Sequence, residues 1–373
     1  MRICIDLTSL ADNFSGIERY AAKLSLELIK NYDEQYVLLF KNDVHPFFKE
    51  YCEKKNINMV VIPGGNKLFF NQIKLPWVIH KVKADWYLFM AFPVPVLTFK
   101  KNVISTIHDI CCWDCPETMN GMSKWYFRIS HRIAIKKCCS IITISEFSKQ
   151  RIHEMLRYPK DKIWLIYCGI DIDELHAHPN RANLVRKKYN LPEEYILSLS
   201  TLEPRKNISL LIRAYSELIK EGCNIPTLVL AGRKGWKMDA FFEAIDPDIK
   251  KKIVFTGFID DADLADVYGN AVLFVFPSLY EGFGMPPLEA LACGVPVLSS
   301  NASSLPEVLG NSVFYFESEN IDSLKASLVN WKEFKKISID DIKKQVGRFS
   351  WVTEAKKLYE LLQTRSKKNE SWN

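Results

Sequence analysis

Short apolar runs rich in β-branched residues recur along the chain, and longer polar or helix-patterned stretches separate them. In the first half they fall at 2–7, 36–40, 59–62, 86–90, 103–107, 140–144 and 163–167, and in the second half at 195–200, 227–231, 253–256, 272–276, 295–298 and 312–316. Strand-sized runs alternating with helix-sized intervals predict βαβ units. Those of the second half are nearly unbroken in apolar residues, as parallel strands covered on both faces must be. Each half is therefore predicted to be a doubly wound, Rossmann-like α/β domain. The change-over falls in the polar, basic stretch 168–192, read as a linker with its flanks, which puts a first domain at 1–170 and a second at 171–349. Trp351, Ala355, Leu358, Leu361 and Leu362 keep helical spacing behind Ser350 as a cap. A C-terminal helix within 350–373 is thus expected to pack back on the first domain, with its tail from 364 onward frayed.

The length of 373 residues is enough for two cores and so for a cleft between them. Hydrophobic residues at 48% and charged residues at 25% describe an ordinary globular protein. A formal charge of +6 is too small to argue for nucleic acid, and it suits anionic substrates or an anionic membrane surface. Met1 and Arg2 lead straight into a strand-like run, so no secretory leader is expected. The longest apolar stretch, 86–99, is interrupted by Pro93 and Pro95 and falls short of the roughly 20 residues of a spanning helix, so a cytoplasmic protein is expected. The ten cysteines show no framework spacing and are expected as reduced thiols. Cys111, Cys112, Cys115, Cys138 and Cys139, with His108 nearby, raise the question of zinc. Their second couple is adjacent rather than spaced, so buried inert thiols are the preferred reading and no metal is expected.

Ligands of open α/β sheets bind beyond the carboxyl ends of the strands, where loops meet helix N-termini. The most informative such loop lies in FVFPSLYEGFGMPPLEALACGVPVLSS, residues 274–300. A helix is expected to begin there at Pro286 or Pro287. Because proline carries no N–H, Leu288 and Glu289 then supply its first free amides, candidate partners for a phosphate. Glu281 and Glu289 can both face the cleft mouth, while Gly282 and Gly284 let the backbone approach a ligand. Arg205 and Lys206 follow the first strand of the second domain, where paired cations can neutralise a diphosphate. On the first domain, Gly16 follows the first strand, and His108 ends the run 103–107 with Asp109 placed to orient it. Asp171 and Asp173 spell DxD in the linker, read as a turn rather than a metal motif. Gly16 stands alone rather than within GxGxxG, which argues against a dinucleotide-dependent dehydrogenase.

Two glutamates with seven residues between them in EGFGMPPLEALACGVPV resemble the signature of the family 4 retaining glycosyltransferases of GT-B fold. SSLPEVLG at 303–310, STLEPRKNI at 200–208, LAGRKGW at 230–236 and VFTGFIDDADLADVY at 254–268 resemble that family's C-terminal domain in order and spacing. SGIERYA at 15–21, TIHD at 106–109 and SEFSK at 145–149 match its N-terminal half more loosely. The resemblance implies two Rossmann-like domains facing a cleft that holds a nucleotide-diphosphate sugar as co-substrate, with no further cofactor. It places Lys206 on the diphosphate, Glu289 on the ribose, and Glu281 beside the donor sugar with the amides of Phe283, Gly284 and Met285. Gly232 to Trp236 would lie near base and phosphate, Gly257 and Phe258 would line the nucleoside pocket, and Gly16 and His108 would approach from the opposing domain. The chain departs from the family pattern at Ser200, where an arginine is often found.

The reaction so implied is metal-independent hexosyl transfer with retention, in which the donor's own phosphate oxygen takes the acceptor's proton. Glu281 as a covalent nucleophile is the rival mechanism. LEPRKN and GRKGW resemble bacterial mannosyltransferases of O-antigen and capsule type, making GDP-mannose the first choice of donor and a lipid-linked or oligosaccharide chain the acceptor. UDP-glucose, UDP-galactose or UDP-GlcNAc is the alternative donor. A sugar phosphorylase and an inactive nucleotide-sugar-binding scaffold are the competing classes; the length and the retained glutamates and cations weigh against them. Aromatic and basic residues mixed over 124–137 on an expected helix suggest peripheral contact with anionic lipid at the inner face of the plasma membrane.

Overall fold

The computed structural model describes residues 1–10, 16–66, 69–171, 175, 178, 181–336 and 338–370. All thirteen apolar runs form β-strands, with ends displaced by two residues at most. The first seven are β1 (Arg2–Asp6), β2 (Gln35–Lys41), β3 (Ile57–Ile62), β4 (Trp86–Phe89), β5 (Val103–Thr106), β6 (Ser140–Thr143) and β7 (Ile163–Leu165). They make one parallel sheet in the order β3-β2-β1-β4-β5-β6-β7. The rest are β8 (Tyr195–Leu199), β9 (Thr227–Ala231), β10 (Ile253–Gly257), β11 (Leu273–Phe276), β12 (Val297–Ser300) and β13 (Phe314–Phe316). Their parallel sheet runs β10-β9-β8-β11-β12-β13. Both are doubly wound, so the winding reverses between β1 and β4 in one sheet and between β8 and β11 in the other. This is the Rossmann-like, doubly wound pair of domains that the runs predict.

Two compact units result, one of residues 1–113, 122–169 and 349–373, the other of 114–121 and 170–348. The sequence reading ran the first domain unbroken to 170; the short segment 114–121 groups instead with the second unit. Within the first unit, the C-terminal helix Trp351–Glu370 packs on the helix Gly16–Asn31 that follows β1. Ala355, Leu358 and Leu362 are fully buried, Trp351 meets Tyr20 edge to face, and the Tyr359 ring stacks on Tyr32 at 3.8 Å. Gly169 allows this: a Cβ there would lie 2.4 Å from the Trp351 amide nitrogen. The expected fraying from 364 is not seen, since the helix runs to Glu370. Arg365 donates to the Cys139 carbonyl and Ser366 Oγ accepts from Trp86 Nε1, which tie its last turns down.

In the second unit, the helix Ile208–Lys220 places Leu211, Ala214, Tyr215 and Leu218 on one buried face against β8 and β9 residues. The stretch read as linker contains a helix of its own, Ala182–Tyr189. It is clasped to the second unit by Lys188 Nζ, 2.6 Å from carboxylate oxygens of both Asp260 and Asp263. Asp171 is described there, whereas Asp173 lies outside the described residues. No helix is long and apolar enough to cross a membrane among the described residues.

Candidate active site

Loops leaving neighbouring strands on opposite sides of a reversal in winding part from one another and open a crevice. In the second unit those strands are β8 and β11. After β8 the chain makes a single tight turn, Pro204–Lys206, which carries Arg205 and Lys206. After β11 comes the loop bearing Glu281, then the helix Met285–Ala292 bearing Glu289. The two loops are stitched together, because the Leu279 amide donates to the Arg205 carbonyl at 2.9 Å. Residues 74 positions apart in sequence are thereby brought into hydrogen-bond contact.

Glu281 is 6% exposed, and both its oxygens are used. Oε1 accepts from Lys206 Nζ and from Ser278 Oγ, each at 2.6 Å, and Oε2 accepts from Arg205 Nη1 at 3.0 Å. Burial opposes the charge on Glu281, but Lys206, Arg205 and the Ser278 hydroxyl outweigh it and hold the carboxyl below its ordinary range. Burial and then Arg205 draw the Lys206 ammonium below its ordinary value, while Glu281 pulls the other way. Arg205 also donates to the Tyr280 carbonyl at 2.7 Å and sits 3.0 Å from the buried Glu203. The guanidinium is thus a hub for protein groups, and Lys206, with three donors, keeps capacity beyond its bond to Glu281. The two cations, Arg205 and Lys206, thus face two carboxylates, Glu203 and Glu281.

The helix after this loop begins at Met285, one residue before the earliest expected start. Gly284 caps it with φ of +100°, and a Cβ there would lie 2.6 Å from Leu305 Cδ2. Helical spacing then commits the Leu288 amide to the Gly284 carbonyl, so Leu288 is inside the ladder rather than a free donor. The open amides of the first turn are those of Gly284 and Met285. The helix ends in a Schellman motif: Gly294 adopts φ of +74°, its amide bonds the Leu291 carbonyl, and Val295 bonds the Ala290 carbonyl. This is why β12 starts at Val297 and not at Val295. Glu289 is 7% exposed, and its Oε2 accepts from Tyr268 OH at 2.9 Å.

Gly232 and Gly257 end β9 and β10 side by side, with the Gly232 amide donating to the Gly257 carbonyl at 2.8 Å. Gly232 is obligatory, since at φ of +127° a Cβ would fall 1.9 Å from the Ser200 carbonyl oxygen. Phe258 carries the Arg233 guanidinium over its ring at 4.4 Å. Phe283 is buried, and its carbonyl accepts from Ser304 Oγ at 3.1 Å. Ser200, where the family often has arginine, is buried with no hydrogen-bond partner for its hydroxyl among the described residues.

Sequence reasoning gave no role to several residues that build this site. Ser303, held at φ of +52°, accepts from the Glu281 amide at 2.8 Å, and Ser304 Oγ donates to the Glu281 carbonyl. Both lie in the SSLPEVLG stretch, which was the available signal. The segment 114–121 is fixed to the same loops: Tyr280 OH donates to Asp114 at 3.0 Å, Trp236 Nε1 to the Thr118 carbonyl at 3.0 Å, and Lys237 Nζ to the carbonyls of Glu117 and Met119. Nothing in its composition announces this.

In the first unit, Gly16 opens its helix at the carboxyl end of β1, and a Cβ there would meet nothing within 4 Å. His108 follows β5 and is oriented by Met90 and Tyr20, its Nε2 lying 2.9 Å from the Met90 carbonyl and its ring edge-on to Tyr20 at 5.1 Å. A carbonyl only accepts, so Nε2 bears the proton and Nδ1 is bare in the neutral ring. Burial lowers its pKa to about 4. Asp109 does not orient this ring through a direct bond; it accepts from the Cys111 amide at 2.9 Å and fixes the following turn. Cys111, Cys112 and Cys138 are buried, whereas Cys115 and Cys139 are half-buried, and among the described residues no three metal-ligating side chains converge.

The family model described as Glycosyltransferase Family 4 matches residues 14–174, and that described as Glycosyl transferases group 1 matches residues 181–345. O-antigen chain mannosyltransferase B of Escherichia coli is 33% identical over 273 residues, covering 70% of this chain and 71% of the relative. O-antigen chain mannosyltransferase RfbU of Salmonella typhimurium is 24% identical over 94% of this chain and 99% of its own. Among solved structures, Anabaena HepE in complex with UDP-glucose superposes with a TM-score of 0.70 at 18% identity, covering 98% of this chain and all of that one. At that identity the superposition speaks for the fold, which is GT-B. The matched models and the Escherichia coli relative establish that the chain belongs to glycosyltransferase family 4.

Proposed function

We propose that the protein transfers mannose from GDP-mannose, with retention and without a metal ion, to a lipid-linked or saccharide acceptor in surface-polysaccharide synthesis. The observation that carries this reading is the cluster of half-buried Arg205 and Lys206 on the buried Glu281 at the winding reversal of the second sheet. Lys206 offers its remaining donors to the diphosphate, whose charge grows as the sugar departs. Arg205 acts by positioning, since it holds Glu203, Glu281 and the Tyr280 carbonyl in one arrangement. Glu289, shouldered by Tyr268, takes the ribose hydroxyls, and the Gly284 and Met285 amides take the sugar's. The acceptor oxygen bonds to the anomeric carbon as the bond to phosphate breaks, and the acceptor's proton passes to the departing phosphate oxygen on the same face.

Both oxygens of Glu281 are already engaged by three donors, which disfavours its attack as a nucleophile. Mannose is preferred because two relatives bear the name O-antigen chain mannosyltransferase. A UDP-sugar is the second reading, favoured by the UDP-glucose complex of a protein of the same fold. The acceptor is met at the inner face of the plasma membrane, where the exposed face of the helix Gly121–Lys137 contacts anionic lipid.

Incubating the protein with GDP-mannose, UDP-glucose, UDP-galactose and UDP-GlcNAc in excess chelator, with the product anomer read by NMR, tests the proposal. GDP-mannose should be consumed preferentially and its configuration kept. Turnover that requires added manganese or magnesium, an inverted product, or consumption of a UDP-sugar alone overturns the corresponding part.

A further inference from the structure

The first unit has a second concentration of positive charge at the end of its sheet away from Gly16 and His108. A cavity of about 490 Å³ opens there at the amino ends of β1, β4 and β5, lined by Arg2, Lys83, Asp85, Tyr87, Lys100 and Lys101 among others. Its floor is built rather than incidental. The Arg2 amide donates to Asp85 Oδ2 at 2.7 Å and the Asp85 amide returns a bond to the Arg2 carbonyl, so the ends of β1 and β4 are locked together. Tyr87 is buried, with its hydroxyl held by the Val82 carbonyl and the Ala84 amide. Lys100 lies over the Tyr87 ring at 5.1 Å, and its ammonium is anchored by the carbonyls of His80 and Val82, leaving a third donor.

Four cations thus line one cavity against a single carboxylate. None of the four has a carboxylate within ion-pair distance among the described residues, and Asp85 is already bonded to a backbone amide. Like charges gathered around one concavity repel, and the arrangement becomes favourable only when an anion enters. Lysine ammoniums suit phosphate oxygens as point charges, an arginine adds a fork for two of them, and the volume far exceeds what a halide fills. We propose that this cavity is a binding site for a phosphorylated ligand, distinct from the donor site and independent of the donor reading.

The test is thermal unfolding of the full chain with inorganic pyrophosphate against sodium chloride at matched ionic strength. It is run on wild type, on Lys206→Ala, and on Lys83→Glu combined with Lys101→Glu, whose side chains are exposed. Pyrophosphate should raise the midpoint by about 2 °C in wild type and in Lys206→Ala, at concentrations some tenfold above Kd. Introduced into Lys206→Ala, the two substitutions should abolish this rise, while on the wild-type background they leave nucleotide binding intact. A rise that survives when the two substitutions are combined with Lys206→Ala, that disappears in Lys206→Ala alone, or that chloride reproduces overturns the proposal. Vesicles containing phosphatidic acid separate the sources: sedimentation displaced by pyrophosphate and lost in the double variant identifies a lipid headgroup, and no sedimentation beside a retained thermal shift identifies a soluble phosphorylated compound.

Discussion

The proposed chemistry turns on Lys206 and Glu281, and their mutual bond of 2.6 Å means that neither can be altered without affecting the other. Lys206→Ala removes the cation proposed to serve the leaving group, and a turnover loss of roughly a hundredfold or more is expected, the size of one preorganised electrostatic contact. Glu281→Gln keeps the shape but breaks the charge balance, leaving Arg205 and Lys206 with Glu203 as their only buried carboxylate. Under the positioning role its loss in turnover should be smaller than that of Lys206→Ala, with no glycosyl adduct visible by mass spectrometry; a trapped adduct would establish the nucleophile. The residue types at 205, 206, 281 and 289 were legible from the motifs. That Arg205 spends its guanidinium on the protein was not, because its partners Glu203 and Tyr280 carry no pattern in the chain.

At the scale of elements, the helix Gly121–Lys137 turns Met122, Trp125 and Ile129 to solvent, at 84%, 58% and 52% exposure, with Arg132 and Lys136 continuing the same face. Arg128 does not belong to it: it is half-buried and its Nε donates to the Cys112 carbonyl at 2.7 Å, whereas Arg132 stays exposed although its guanidinium, like that of Arg128, lies over Trp113. Each cation near an anionic bilayer contributes about 1 kcal/mol, so Arg132→Glu with Lys136→Glu should weaken sedimentation with phosphatidylglycerol vesicles at least about tenfold at low salt. Unchanged sedimentation would remove the lipid contact and leave the enzymatic reading standing. The helix itself was legible from the sequence; which of its basic residues are free was not, since the fold of 111–113 beneath it decides that. The start of Met285–Ala292 shows the same division. Pro286 and Pro287 announced a helix N-terminus, but the left-handed Gly284, pressed against Leu305, sets the first residue.

For the molecule as a whole, two histidines of the first unit, His131 buried and His108 half-buried, make its stability depend on pH. Burial lowers the pKa of both His108 and His131 to about 4, and the Cys112 thiol lies 3.7 Å from His131 Nδ1, as suits a neutral ring. The unfolded chain takes up these protons near pH 6.5. The stabilising contribution of the neutral rings is therefore complete above pH 6.5 and is lost as pH falls through that value toward 4. At pH 5 the loss should be about 2 kcal/mol per histidine relative to pH 8. Denaturant unfolding at pH 5 and pH 8 measures it, and His131→Gln should remove about half of the difference; an equal difference in the variant assigns it elsewhere.

The sequence by itself determined the strands, because unbroken apolar runs of strand length can be satisfied only between two covering layers, and it determined the glycosyltransferase motifs that the strand ends display. It also supplied the periodicity of the C-terminal helix, whose buried positions Ala355, Leu358 and Leu362 face the helix after β1. What only the tertiary structure decided is which loops meet. The order β10-β9-β8-β11-β12-β13 brings residues 203–206 against 278–281, and it is this long-range pairing that sets the half-buried Arg205 and Lys206 against the buried Glu203 and Glu281. It likewise decided that 114–121 lies with the second unit and that Arg2, Lys83, Lys100 and Lys101 share one cavity. Hydrophobic periodicity is a local property of the chain, whereas a charge acquires its partners from whatever the sheet order places beside it.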